Sequence, residues 1–317
     1  MTLEDPDQAS PDTGGQRAGL YVVATPIGRL ADLSQAAIHT LKHVHVVAAE
    51  DTRVTRGLLA HVGARPTLVA AHEHNEARTA QAIVARIRAG ERVALVSDAG
   101  TPGISDPGAR VVAAVHAAGL PVIPIPGPSA VVTLLSVAGF TQPGFRFEGF
   151  LPARPLARRE RLAVLARSDV VVVLYESPHR ITETVDDLAA VLAPQRVVVL
   201  GRELTKRFEQ VHRDTAGALP AWLRADPDRQ RGEFVIAFDA APPEVAEVQA
   251  VDPWLTVMCD ELPVRQAARL AARVTGLRAN DLYRRALTLR GDAGHPADAG
   301  TTESTGGTTD TRNAGTD

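Results

Sequence analysis

At 317 residues, 45% of them hydrophobic but only 4% aromatic, the chain can fill two modest cores, built mainly on Val, Leu and Ala. Its one cysteine, Cys259, excludes an internal disulfide and a cysteine-based zinc cluster. The formal charge of −3 is unevenly distributed: residues 1–16 and 291–317 each carry −4, which leaves +5 on the body and suits a polyanionic partner.

Residues 1–16 are acidic and rich in Pro and Gly, and are expected to be a disordered leader. They lack the apolar centre of a signal peptide, and no apolar run is long enough to cross a bilayer, so a cytoplasmic protein without membrane contact is expected. The first apolar run, Leu20 to Ala24, breaks at Thr25-Pro26-Ile27-Gly28. Asp32 and Gln35 have capping-box spacing for a helix through Leu41. A strand over 44–49 leads to Glu50-Asp51-Thr52-Arg53 and a helix to about His61. His72-Glu73-His74-Asn75-Glu76 comes next, with Asn75 as the cap of a helix to Ala89. His72 and His74 are metal-ligand types, but they lack an HExxH spacing or a compact partner set; no metal is expected there.

The next stretch organises the chain. Val93 to Val96 reads as a buried strand that ends abruptly in SDAGTPGISDPG, residues 97–108. Asp106 is suited to cap the following helix, 109–118, with Pro107 in its first turn. A strand over 122–125 breaks at Pro126-Gly127-Pro128-Ser129-Ala130, and a helix over 129–137 closes the unit. Strand and helix alternate throughout, which predicts a mostly parallel sheet covered on both faces. Ligands of such sheets bind at the carboxyl ends of the strands, where the three Pro/Gly loops could converge on one ligand.

Residues 139–149 read as a linker. A second alternating unit follows, with strands over 170–175, 196–200 and 233–239 and helices over 158–166, 181–192 and 216–224. Tyr175-Glu176-Ser177-Pro178-His179-Arg180 and Gly201-Arg202-Glu203-Leu204-Thr205-Lys206 stand at two of its strand ends. Arg154, Arg158, Arg159, Arg161 and Arg167 crowd one stretch around a lone Glu160, a pattern for phosphate contact. After a linker over 240–252, helices over 264–274 and 280–289 flank Gly276 as a helix-turn-helix-like hairpin carrying Arg265, Arg269, Arg273, Arg278, Arg284, Arg285 and Arg290. The expected organisation is a leader (1–16), two α/β domains (17–142 and 143–242), the hairpin (243–292) and a disordered tail (293–317).

Neither a P-loop nor a GxGxxG turn is present. The blocks TPIGRLAD (25–32), AAEDTR (48–53), HEHNE (72–76), SDAGTPGISDPG (97–108), PGPSA (126–130), EGFLPAR (148–154), YESPHR (175–180) and GRELTK (201–206), in this order, resemble the bacterial small-subunit (16S) ribosomal RNA cytidine 2′-O-methyltransferases of the tetrapyrrole methylase superfamily. The resemblance covers roughly residues 20–289. It implies two α/β domains of the tetrapyrrole methylase type around a cofactor cleft, S-adenosylmethionine as cofactor, 16S ribosomal RNA or the small ribosomal subunit as partner, and a homodimer. Carried over by position, the cofactor contacts are Pro26, Ser97, Asp98, Ala99, Thr101, Ile104, Ser105, Ser129, Ala130, Tyr175, Glu176 and Leu204.

Transfer of a methyl group to a ribose hydroxyl needs that oxygen in line with the donor, and a base to accept its proton. Glu50, Asp51, Asp98, Glu176 and Glu203 remain open as bases, with His72 and His74 behind them; Lys206 or Arg202 could stabilise the alkoxide or hold a phosphate. Arg158, Arg159, Arg161, Arg202, Arg284 and Arg285 are the expected RNA contacts. Two alternatives stand: a precorrin-type tetrapyrrole C-methyltransferase, which would leave the arginines without a use, and a non-catalytic nucleic-acid-binding protein, which would leave the strand-end loops without one.

Overall fold

The computed structural model describes residues 17–72, 76–242 and 250–291. The expected leader and tail, and Glu73, His74 and Asn75, lie outside the described residues. The chain forms two compact units that divide after Pro242.

The first unit holds two five-stranded sheets. In chain order the first contains β1 (Gly19–Val23), α1 (Gln35–His43), β2 (Val46–Ala49), α2 (Thr52–Val62), β3 (Thr67–Ala70), α3 (Glu76–Arg88), β4 (Arg92–Val96), α4 (Ala109–Ala117) and β5 (Val122–Ile125). All pairings are parallel, in the order β3-β2-β4-β1-β5. One face is covered by Leu41, Leu58 and Leu59 from α1 and α2, the other by Ile83, Ile87, Val111 and Val115 from α3 and α4. The central strands β1, β2 and β4 are therefore buried on both sides and need continuous apolar runs, which is why they read clearly in the sequence. The half-exposed edge strand β3 lacks that signal and went unread.

Two caps differ from expectation. Ser34, not Asp32, caps α1 by accepting from the Ala37 amide at 3.1 Å. Asp106 does not cap α4: the buried Glu76 carboxylate reaches over from α3 and accepts from the Gly108 and Arg110 amides, each at 2.9 Å. A carboxylate at a helix N-terminus satisfies orphan N–H groups whatever its distance in sequence, and Asp106 is left free for the site.

Helix α5 (Ala130–Ala138) follows β5, but it does not close the first sheet. Its Val131, Leu134 and Ala138 pack against Val173, Val199 and Val235 of the second sheet. That sheet comprises β6 (Phe145–Phe150), β7 (Val171–Glu176), β8 (Val197–Arg202), β9 (Gln210–Thr215) and β10 (Phe234–Phe238), in the order β6-β7-β10-β8-β9. Only β6 and β7 are parallel; β10 runs antiparallel to β7 and β8, as does β9 to β8. Its other face is buried under α6 (Pro155–Leu165), α7 (Ile181–Val191) and α8 (Leu219–Arg224). The expected linker over 139–149 thus contains most of edge strand β6. Both β6 and β9 (QVHRDT) are edge strands of mixed polarity, held by ladder hydrogen bonds that no apolar run announces.

The second unit has three described helices where a hairpin was expected: α9 (Asp252–Glu261), α10 (Val264–Thr275) and α11 (Ala279–Gly291). Leu255, Cys259, Ala267, Ala268, Ala271, Leu282 and Ala286 form its core. Helix α9 buries only Asp252, Leu255 and Cys259, too narrow a stripe to show as periodicity. Asp252 also accepts a bidentate pair from Arg285, at 2.8 and 2.6 Å.

Candidate active site

The loops at the carboxyl ends of β1, β4 and β5 are tied together. Thr25 and Gly100 exchange backbone hydrogen bonds of 2.8 and 3.1 Å, the Thr25 hydroxyl donates to the Ser97 carbonyl at 3.1 Å, and the Thr101 hydroxyl to the Pro128 carbonyl at 3.3 Å. From the other half of the unit, the loop after β8 meets the β1 loop, where the Arg29 amide donates to the Thr205 hydroxyl at 3.3 Å. A Cβ at Gly28 would lie 2.5 Å from Lys206 Cγ, so only glycine permits this approach.

Between these loops lies a cleft of about 310 Å³. Ala99, Thr101, Ile104, Ser105, Ser129, Ala130, Tyr175, Glu176 and Leu204, all expected cofactor contacts, line it. Pro26, Ser97 and Asp98 do not: Ser97 is buried behind the loop, and the Asp98 carboxylate accepts from the Asp51 amide at 3.0 Å, linking the β4 and β2 loops. The cleft also takes in Ile27, Asp106, Phe150, Glu233, Phe234 and Val235, which were not expected there. Among the described residues, the non-glycine positions with positive φ are Ser105 (67°), Glu203 (51°) and Thr205 (64°). Ser105 lines the cleft and the other two flank Leu204, so backbone strain is concentrated on its lips.

Asp106 is the principal residue that sequence reasoning missed. Burial, then the neighbouring Glu50 and Asp98 carboxylates, push its carboxyl up to about 6, against a hydrogen bond from Ser97. Burial likewise raises Glu50, with Asp98 and Asp51 adding to it, while the Asp98 amide, 3.3 Å from Glu50 Oε2, acts the other way. Tyr175 is pushed up to about 12 by burial and by Asp106. The lip of the cleft is thus a crowded set of carboxylates that a cation would relieve. The signal available in the sequence was the second Asp of SDAGTPGISDPG, which its capping pattern concealed.

The candidate bases fare differently. Asp51 is held down to about 2 by the Arg53 side chain and caps α2. The Glu176 carboxylate is fully buried, accepting from the Thr184 hydroxyl at 2.6 Å and the Ser177 amide at 2.8 Å. Glu203 accepts from the Glu233 amide at 2.9 Å and from Lys206 at 3.0 Å; burial would raise it, but these bonds hold it below the usual carboxylate range. Lys206 also pairs with Glu233 at 2.9 Å, which outweighs burial and keeps it charged. The oxygens of Asp51, Glu176 and Glu203 thus already accept hydrogen bonds from other groups. Glu50 keeps a raised carboxyl, beside the cleft residues rather than among them.

The arginine stretch needs a larger correction. Arg158 is among the largest fully buried side chains, its Nε 2.6 Å from Asp187 and its Nη2 3.0 Å from Glu183. Arg159 shares Asp187 at 2.6 Å, and Arg161 pairs with Glu148. Burial would raise the Asp187 carboxyl, but hydrogen bonds from the two arginines bring it down. The neutralising acids come from other elements, Glu148 on β6 and Glu183 and Asp187 on α7, so the stretch is not an unpaired RNA-binding face and Arg158 cannot reach RNA. Arg202 holds the Arg231 and Phe208 carbonyls, Arg284 pairs with Asp281 and Arg285 with Asp252. By contrast Arg265, Arg269 and Arg273 lie exposed along α10 at four-residue spacing.

Two α/β halves enclosing a cleft at their strand-end loops are the architecture of a known class of methyltransferase. A family model described as "Tetrapyrrole (Corrin/Porphyrin) Methylases" matches residues 19–220. The chain also resembles the solved uroporphyrin-III-C-methyltransferase from Thermus thermophilus in fold, with a TM-score of 0.50 at 21% identity, covering 74% of this chain and 98% of that one. Within this class the chain belongs to the ribosomal RNA small subunit methyltransferase I family. It is 42% identical to the Escherichia coli O157:H7 member over 90% of this chain and 99% of that one, and 47% identical to the Xylella fastidiosa (strain Temecula1) member over 83% and 97%. A model of the "RsmI C-terminal HTH domain" matches residues 244–290. No helix among the described residues is long and apolar enough to cross a membrane.

Proposed function

We propose that this protein transfers a methyl group from S-adenosylmethionine to the ribose 2′-oxygen of a cytidine in 16S ribosomal RNA, working in the cytoplasm as a homodimer. The observation that carries the reading is the identity of 42–47% over nearly the whole length of relatives named ribosomal RNA small subunit methyltransferase I, catalytic and helical units together. It favours RNA over a tetrapyrrole as substrate, and catalysis over binding alone.

The residues of the cleft fit the cofactor. Ile27, Ala130, Leu204 and Val235 offer apolar walls, Thr101, Ser105 and Ser129 offer polar groups, and the Asp106 carboxylate, with Glu50 and Asp98 nearby, favours a positive charge. S-adenosylmethionine supplies a sulfonium-activated methyl that needs little electrophilic help. The protein's part is then to hold the ribose oxygen in line, exclude water and receive a proton. Glu50 is the candidate base left with a raised carboxyl and no salt bridge among the described residues, and it stands in the same carboxylate group as Asp106. Arg265, Arg269 and Arg273 offer a basic track for RNA phosphates, about 6 Å apart along α10.

The test is methyl transfer from labelled S-adenosylmethionine to small subunits from a strain lacking this protein, with the product nucleoside identified by mass spectrometry. A 2′-O-methylated cytidine is expected. Transfer to no ribosomal RNA despite cofactor binding would refute the reading.

A further inference from the structure

Strand β6 carries three of the chain's seven phenylalanines: Phe145, Phe147 and Phe150. In a regular strand, residues an odd number apart point to opposite faces, which would turn Phe150 away from Phe147. The register of β6 against β7 instead shifts between Phe147 and Gly149: Phe147 pairs with Val173, Gly149 with Leu174 and Phe150 with Tyr175. Glu148 is the extra residue of a bulge, and Gly149 has φ 75°. The bulge brings both phenylalanines to Tyr175, with ring centroids 4.8 Å (Phe147) and 5.8 Å (Phe150) away, both edge-on.

Phe147 is half-buried, packed against the core of the second sheet. Phe150 is not consumed in that way. It lines the cleft yet remains 55% exposed, on the edge strand of the sheet and across from the loop that presents Ala99 to Asp106. Bulges next to active sites re-aim side chains, and this one places an exposed phenyl on the open side of the cleft.

We infer that Phe150, braced edge-on by Tyr175, is a nucleobase subsite on which the unstacked base of the target nucleotide rests. The inference rests on the RNA-methyltransferase reading. A ribose 2′-oxygen enters an enclosed cleft most readily when its nucleotide is unstacked, and aromatic side chains are the usual surface for a base so exposed. Stacking there orients the attached ribose, so Phe150 positions the 2′-oxygen without taking part in bond making. Because the open edge of the sheet gives a macromolecule access, the occupant is the substrate base; Phe150 is not among the residues assigned to the cofactor.

The test compares Phe150→Ala, Phe150→Leu and Phe150→Tyr in the full-length protein. Three quantities are read: cofactor affinity by calorimetry, binding of protein saturated with S-adenosylhomocysteine to unmodified small subunits, and kcat/KM for methyl transfer. Phe150→Ala is expected to lower kcat/KM between ~5-fold and ~150-fold, corresponding to the 1–3 kcal/mol of base–aromatic stacking, with cofactor affinity unchanged. Phe150→Tyr should restore activity and Phe150→Leu should not. A matching loss of cofactor affinity would assign the ring to the cofactor and overturn the inference. So would full activity of the Ala or Leu variant, which would reduce the ring to an apolar wall. Wild-type protein that transfers no methyl group to subunits would overturn the function itself, and the subsite with it.

Discussion

Replacing Asp106 by Asn tests the electrostatics of the cleft. The side chain stays nearly isosteric while the charge is removed. A carboxyl raised from 3.8 to about 6 binds its proton more tightly in the folded state, so stability falls as pH rises through that window and the full cost is present above it. The shift corresponds to at most about 3 kcal/mol, which solvent screening at this partly exposed group reduces to about 1–2 kcal/mol. Asp106→Asn should therefore leave the free protein as stable as wild type, or up to about 2 kcal/mol more stable, at pH 7.5. Cofactor affinity should move the other way. A charge-assisted contact contributes about 1.5–3 kcal/mol, so binding should weaken ~10- to 150-fold. Because a bound cation favours the ionised carboxyl, wild-type binding should release protons near pH 6 and tighten as pH rises through that value; the Asn variant should do neither. Calorimetry in buffers of different ionisation enthalpy measures both. Unchanged affinity together with an unchanged pH profile would show that Asp106 does not face the cofactor's positive charge.

Arg158→Ala should cost about 3–5 kcal/mol in urea denaturation, because it leaves the buried Asp187 with only the exposed Arg159; a loss confined to RNA affinity would contradict this. The triple replacement of Arg265, Arg269 and Arg273 by Ala should reduce the slope of log K against log salt for subunit binding by about 2–3 and leave cofactor affinity unchanged, whereas an unaltered slope would exclude α10 from phosphate contact. Gly149→Ala puts a non-glycine residue at φ 75° and a Cβ 3.1 Å from Ser105 Oγ, so it should lower stability by about 1–3 kcal/mol and reduce methyl transfer; thermal melts and the transfer assay read the two effects.

What could be read from the sequence depended on the kind of force that holds each part. The strands of the first sheet are buried on both faces, so Val46 to Ala49 and Val93 to Val96 must be continuously apolar, and the loops that follow them stand out by contrast. That contrast located the three strand-end loops, while the cleft-lining residues were named from the family resemblance. Ladder pairing leaves no such record: β3, β6 and β9 are edge strands whose exposed residues may be polar, and only the neighbouring strand makes them strands.

Charge was the least legible property. Three of the five arginines around α6 looked unpaired because Asp187, Glu183 and Glu148 approach from β6 and α7, and pairing across space has no sequence period. Asp106 has the local pattern of a helix cap, but the α4 amides are held by Glu76, thirty residues upstream. Local pattern and hydrophobic burial are properties of contiguous residues, and they determined the class of fold and the position of the strand-end loops, while the family was read from the ordered motif blocks. Which carboxylates are crowded together, which arginines are spent in ion pairs and where a one-residue bulge points Phe150 depend on distances between remote segments, and those only the tertiary structure decided.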